Sequence, residues 1–139
     1  MSEIGDLRPE EAEAAAALWE RCALTRPWND ARADIRLALA SPVSTVLAGR
    51  ESELVATVMV GCDGHRGWVY YLAVAPEAQG RGWGRAMMRA AEAWLRGHGA
   101  PRLNLMVRTE NGAVRAFYER IGYRLSDVVV LQRDLGAEV

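Results

Sequence analysis

Apolar and polar positions change period several times along the chain, and each change marks an element. Residues 3–7 read as a short strand. From Arg8-Pro9-Glu10-Glu11 the pattern turns helical. Pro9 suits a first turn, the two glutamates suit the positive helix end, and Ala12, Ala15, Ala16, Trp19 and Cys22 recur at helical spacing. Arg26-Pro27-Trp28-Asn29-Asp30 interrupts this helix. Asp30 is suited to cap a second one, which turns Ile35, Leu39 and Leu37 inward and ends at Ser41-Pro42. Strands over 45–48 and 54–61 follow, joined by a turn at 49–53. After the turn Asp63-Gly64-His65-Arg66-Gly67, residues 68–74 form a strand of aromatic and β-branched residues that Pro76 stops.

The glycine-rich stretch 79–84 leads into a strong helix. Its apolar stripe is Trp83, Met87, Ala90, Ala91 and Trp94, with Arg85, Arg89, Glu92 and Arg96 largely off it. Gly97 and Gly99 close that helix. Residues 103–107 read as a strand with Leu103, Leu105 and Val107 on one face; 111–120 read as a helix ended by Gly122; 125–131 read as a last strand. The order β-α-α-β-β-β-α-β-α-β predicts an α/β (α+β) layer protein with a largely antiparallel start. No repeat or linker divides it, so one domain over 1–139 is expected.

Charge and composition narrow the function. Seventeen basic residues against eighteen acidic ones leave a net charge of -1, which does not favour nucleic-acid binding. All seventeen are arginine; without lysine there is no Schiff-base lysine, P-loop lysine or Ser–Lys dyad. No run of 18 apolar residues predicts a membrane span, and Met1-Ser2-Glu3 does not open a secretory signal, so a cytoplasmic location is expected. Cys22 and Cys62 make no disulfide framework, and with His65 and His98 they make no ligand cluster, so no metal is expected.

Two segments carry candidate chemistry. In Gln79-Gly80-Arg81-Gly82-Trp83-Gly84, the glycines let backbone N–H groups approach an anion at a helix N-terminus, and Arg81 and Arg85 add charge. That describes a pyrophosphate cradle; the alternative is a tight strand-to-helix turn needing glycine only for its backbone angles. The alternating glycines are not the dinucleotide fingerprint, and the strand at 103–107 is followed by Arg108 rather than an acid. In Asn111-x-x-Val114-x-x-Phe117-Tyr118-x-x-x-Gly122-Tyr123, taken alone, Asn111 is an N-cap, the aromatic pair is core and Gly122 is a terminator.

Together, the strand Leu72-Ala73-Val74-Ala75-Pro76, then Gln79-x-x-Gly82-x-Gly84, then Asn111, Tyr118 and Gly122-Tyr123 resemble the GNAT superfamily of N-acetyltransferases. The resemblance covers residues 8 to about 131. The 63–67 turn and the 26–30 loop look like its bacterial YpeA-like branch. The resemblance implies a mixed, mostly antiparallel sheet with helices on both faces and acetyl-CoA held where strands 68–74 and 103–107 splay apart. It implies that Leu72 and Val74, with Ala73 between them, pair with the pantetheine arm as an added strand, and that the Leu72 N–H faces the thioester carbonyl. Backbone N–H groups of Gly80, Arg81, Gly82, Trp83 and Gly84, flanked by Gln79 and Arg85, would hold the pyrophosphate. Asn111 would bond the pantetheine side, and Tyr118 would face the sulfur as the acid. Two departures stand out: Val114 replaces the family's usual alanine, and Trp68 stands where some members carry a catalytic glutamate, so that base does not carry over.

The reaction so implied is direct transfer, which leaves no nucleophile role for Cys62. Its acceptor is a primary amine of a small molecule or peptide. An alkyl amine of pKa ~10.4 is neutral about once in two thousand at pH 7, whereas the leaving thiol, at ~8.5, needs less help. Trp28, Asn29, His65 and Tyr70 are the acceptor-side candidates; for Trp28 and Asn29 the alternative is an apolar plug between helices. His65, Glu110 and Asp63 are candidate bases, with Tyr70 or Tyr71 routing a water; for each, a solvated turn or packed ring is the plainer reading. A coenzyme A or acyl-CoA sensor of the same fold is the second functional reading, and monomer and homodimer both remain open.

Overall fold

Sheet order follows chain order. The computed structural model describes residues 3–136. Strands β1 (Glu3–Asp6), β2 (Ser44–Arg50), β3 (Leu54–Cys62) and β4 (Gly67–Val74) pair antiparallel in succession. β5 (Leu103–Asn104) joins β4 in parallel. Helix α1 (Ala12–Arg21) follows a 3-10 turn at Pro9–Glu11. Then come α2 (Ala31–Ala40), α3 (Trp83–Gly97) and α4 (Gly112–Arg120). The chain forms two compact units that divide after Met106, so the sheet and α1–α3 lie in the first and α4 in the second.

Local chemistry sets these elements. Asp30 caps α2 by accepting the N–H groups of Arg32 and Ala33, each at 3.1 Å. In the β3–β4 turn, Asp63 Oδ1 accepts the N–H groups of His65 and Arg66, and Gly64 supplies a φ of +89°. Helices cover both sheet faces. Thr57 of β3 turns to Trp19 of α1, while Gly49 of β2 and Gly67 of β4 turn to α3. A Cβ on Gly49 would lie 2.5 Å from the Trp83 ring, and one on Gly67 would lie 2.5 Å from the Leu95 methyls. The helix therefore packs against backbone at both positions. Trp19, Ile35, Val58, Val60, Met87 and Met88 are buried completely.

Four expectations need correction. Leu37 is 74% exposed, because it lies about 200° around α2 from the buried Ile35; Ala38 is buried instead and Leu39 is half-buried. The stripe of α3 is Trp83, Met87, Met88, Ala91 and Leu95, with Ala90 and Trp94 only half-buried and Trp94 stacked on His98. β5 pairs over Leu103 and Asn104 rather than 103–107. Residues 125–131 form no strand, and Leu125, Val128, Val129, Val130 and Leu131 are exposed. β-branched residues favour a strand only where a ladder takes up their backbone groups.

Arg50 on β2 is buried and grips Glu11 with Nε and Nη2 at 2.8 and 2.5 Å. That forked bond, helped by the Arg8 N–H and opposed by desolvation, lowers the Glu11 carboxyl from 4.5 to about 2. A depressed carboxylate contributes stability that is full above its unfolded pKa and lost as pH falls through its folded one. Glu11→Gln is therefore less stable than wild type at pH 7, and the gap narrows as pH falls from 4.5 towards about 2. Urea titrations at several pH values measure it; a gap that does not change with pH would disprove the assignment.

Candidate functional site

The open edge of β4 is the first part of the site. β4 pairs with β5 only at Gly67↔Leu103 and Trp68↔Asn104, so beyond Trp68 that edge has no ladder partner among the described residues. On its other side, Thr57 pairs with Ala73 and Met59 with Tyr70, which puts both Tyr71 and Leu72 opposite Val58. This is a β-bulge, and within it Tyr71 has a φ of +54°. Beyond the bulge, Ala75 gives its N–H to Val55 on β3, so by alternation Leu72 and Val74 turn their peptide groups to the open edge. The Val74 carbonyl already accepts Gln79 Nε2 at 3.0 Å and Cys22 Sγ at 3.3 Å. A strand added at Val74 would compete with the Gln79 amide for that oxygen.

The start of α3 is the second part. Gly80 and Gly82 hold φ values of +77° and +91°, which a side chain would oppose. Gly82 is the N-cap and offers no side-chain oxygen. Among the described α-helices, α3 alone begins with neither a capping side chain nor an acid in its first turn. Its first N–H groups, from Trp83, Gly84 and Arg85, thus keep their donors and the helix-end partial charge for an anion. Arg85 is exposed on that turn. Arg81 instead holds Glu51 at 3.1 and 3.2 Å. Such an exposed pair is worth about 0–1 kcal/mol, so a phosphate could take the guanidinium from it. Trp83 Nε1 is buried with no hydrogen-bond partner among the described residues.

The second unit holds the other motif. Asn111 caps α4 through Oδ1, which accepts the Val114 N–H at 3.2 Å; its amide N–H groups remain donors. Gly122 ends the helix region with φ +106°. Tyr118 is buried, edge-on to Phe117 at 5.1 Å and to Tyr123 at 5.7 Å. Burial pushes its phenol from 10.0 up to about 12.

The acceptor-side candidates lie on the α1–α2 loop, the β3–β4 turn and β4. Trp28 is 69% exposed, so the plug alternative fails for its ring. Asn29 lines a shallow cleft of about 320 Å³ with Ala16, Glu20, Thr25, Asp30 and Arg32. His65 is exposed in the β3–β4 turn, and Tyr70 lies partly exposed on β4, its phenol raised by burial and then by the Asp63 charge. Asp63 has its carboxyl lowered by the Arg66 and His65 N–H groups, a turn-building role. Glu110 is exposed and accepts the Thr109 hydroxyl.

A family model described as the acetyltransferase (GNAT) family matches residues 10–123, across both units. The chain belongs to the acetyltransferase (GNAT) family. Three solved structures illustrate how far this GNAT chain shares the fold. AAC(6')-Iy, solved with the bisubstrate analog CoA-S-monomethyl-acetylneamine, superposes at a TM-score of 0.80 with 14% identity, over 96% of this chain and 97% of that one. The aminoglycoside antibiotic 6'-N-acetyltransferase AAC(6')-IG of Acinetobacter haemolyticus gives 0.77 with 16% identity, over 96% and 98%. A ribosomal-protein-alanine N-acetyltransferase of Brucella melitensis biovar Abortus 2308 gives 0.74 with 21% identity, over 95% and 98%. At these identities the likeness is one of fold.

Sequence reasoning missed one feature beside the open edge of β4, naming Trp19 only in a helix stripe and Tyr71 only as a candidate to route a water. Trp19, Thr57, Tyr71 and Asp34 form a connected network around the β4 bulge. No spacing in the sequence marks it. No helix among the described residues is long and apolar enough to cross a membrane.

Proposed function

We propose that the chain is an acetyl-CoA-dependent N-acetyltransferase of the YpeA-like branch, acting as one cytoplasmic domain on a primary amine of a small molecule or peptide. The observation that carries this is the bare, glycine-flanked start of α3 immediately after a strand with an open, bulged edge. A pyrophosphate suits the first, and an extended pantetheine arm suits the second. Gly80 to Gly84 would hold the pyrophosphate with Gln79, Arg81 and Arg85 beside them; Leu72 and Val74, with Ala73 between them, would pair with the arm; and Asn111 would add an amide donor. The amine nitrogen attacks the thioester carbon, the C–N bond forms, and the C–S bond breaks. The Leu72 N–H stabilises the oxyanion, a contribution of roughly 3–4 kcal/mol for one donor. Tyr118 gives its proton to the departing sulfur, and the proton that the amine nitrogen loses passes through solvent water to restore the phenol. Trp28, Asn29, His65 and Tyr70 face the acceptor.

A sensor reading is favoured by one observation, Trp68 at the position where some family members carry the glutamate base. Calorimetric titration with acetyl-CoA and with CoA, followed by thiol detection on an amine panel, separates the readings. Saturable binding with amine-dependent thiol release is expected. Binding without release on any amine favours the sensor, and no binding removes both.

A further inference from the structure

We propose that Thr57, supported by Trp19, is a positioning residue for acetyl transfer: it fixes the peptide plane that aims the Leu72 N–H. The inference rests on the acetyltransferase reading above and adds a residue from the neighbouring strand, β3.

Tyr71 is one of two non-glycine residues with positive φ among the described residues. A left-handed conformation at such a residue persists only where the surroundings over-determine it. Three contacts do so here. The Thr57 hydroxyl donates to the Tyr71 carbonyl at 3.0 Å. The Tyr71 ring stacks on Trp19 at 3.7 Å, within 2° of parallel. The Tyr71 hydroxyl donates to Asp34 Oδ2 on α2 at 2.8 Å.

The hydroxyl of Thr57 has no freedom to turn elsewhere. Trp19 Nε1 donates to Thr57 Oγ1 at 2.8 Å, and both residues are fully buried. An indole N–H only donates, so Thr57 must accept there and commit its single proton to Tyr71. The peptide between Tyr71 and Leu72 is planar and trans, so its C=O and N–H point in opposite directions. Holding the Tyr71 carbonyl towards Thr57 on β3 therefore turns the Leu72 N–H away from β3, to the open edge. An indole on α1, a hydroxyl on β3 and a carboxylate on α2 thus set the direction of one backbone donor on β4.

Thr57→Val removes the hydroxyl at nearly constant shape, and Thr57→Ser keeps it. In Thr57→Val, kcat falls about 10- to 100-fold while the Kd for acetyl-CoA stays within about threefold, because one oxyanion donor is misaligned rather than the cleft lost. Thr57→Ser stays within about threefold of wild type. The NMR HN–Hα coupling of Tyr71, which reports φ, and the Leu72 amide shift both move in Thr57→Val and not in Thr57→Ser. If Thr57→Val does not fold, Trp19→Phe keeps a stacked ring, frees the Thr57 rotor, and lowers kcat in the same direction. Equal loss in Thr57→Val and Thr57→Ser, or wild-type kcat in the soluble variant lacking a donor, overturns the proposal. A wild type that neither binds acetyl-CoA nor releases thiol fails the acetyltransferase reading instead. An unmoved Leu72 amide in the variant overturns the clamp whatever the activity.

Discussion

Gly82→Glu raises the Kd for acetyl-CoA by about 100-fold or more, equivalent to roughly 2.8 kcal/mol. Gly82 is the N-cap of α3 at φ +91°. A side chain there meets left-handed strain of roughly 1–2 kcal/mol. The added carboxylate also sits at the positive helix end, where it takes up the donors meant for the pyrophosphate and repels the ligand's charge. Each hydrogen bond to a charged group is worth about 1.5–3 kcal/mol, so losing one or two suffices. Gly82→Ala separates strain from charge and should cost about tenfold. Calorimetry on both variants, with circular dichroism to confirm folding, is the measurement. Normal binding by Gly82→Glu would move the pyrophosphate site away from the start of α3.

Features set by neighbours in sequence were legible; features set by register were not. Asp30 and Asn111 cap α2 and α4 as their positions predict, because a cap needs only the next two or three residues. Gly80 and Gly82 were legible because positive φ at a strand-to-helix turn selects glycine. Tyr71 was not, since a left-handed tyrosine has no compositional signature. Its partners lie 14 residues away at Thr57 and 37 away at Asp34, and Thr57 is 38 from Trp19. Only the sheet register and the α1 and α2 packing bring them together. The reading of Arg81 as a phosphate ligand failed to foresee Glu51, 30 residues earlier, for the same reason. At 125–131, propensity alone predicted a strand; the second unit, whose one regular element is α4, supplies no ladder among the described residues.

Tyr118→Phe lowers kcat by about 10- to 100-fold, the low end of what a positioned acid contributes, because a thiol of pKa ~8.5 is already a fair leaving group. The Kd for acetyl-CoA is little changed. The substitution keeps an aromatic ring against Phe117 and Tyr123, so the loss reports the hydroxyl rather than packing. Its pH dependence follows from burial, which holds the phenol at about 12. An acid acts while protonated and fails as pH rises through its pKa, so Tyr118 stays competent throughout the range from about pH 6 to 9. The rising limb of the rate profile in that range then belongs to the acceptor amine losing its proton, and it appears in wild type and variant alike. An α-amine, at ~7.7–8.0, brings that limb into the range; an alkyl amine, at ~10.4, leaves the rate still climbing at its end. Steady-state kinetics at fixed saturating acetyl-CoA distinguish the two. Equal turnover of wild type and Tyr118→Phe across the range would remove Tyr118 from the acid role and leave the departing thiolate to take its proton from water.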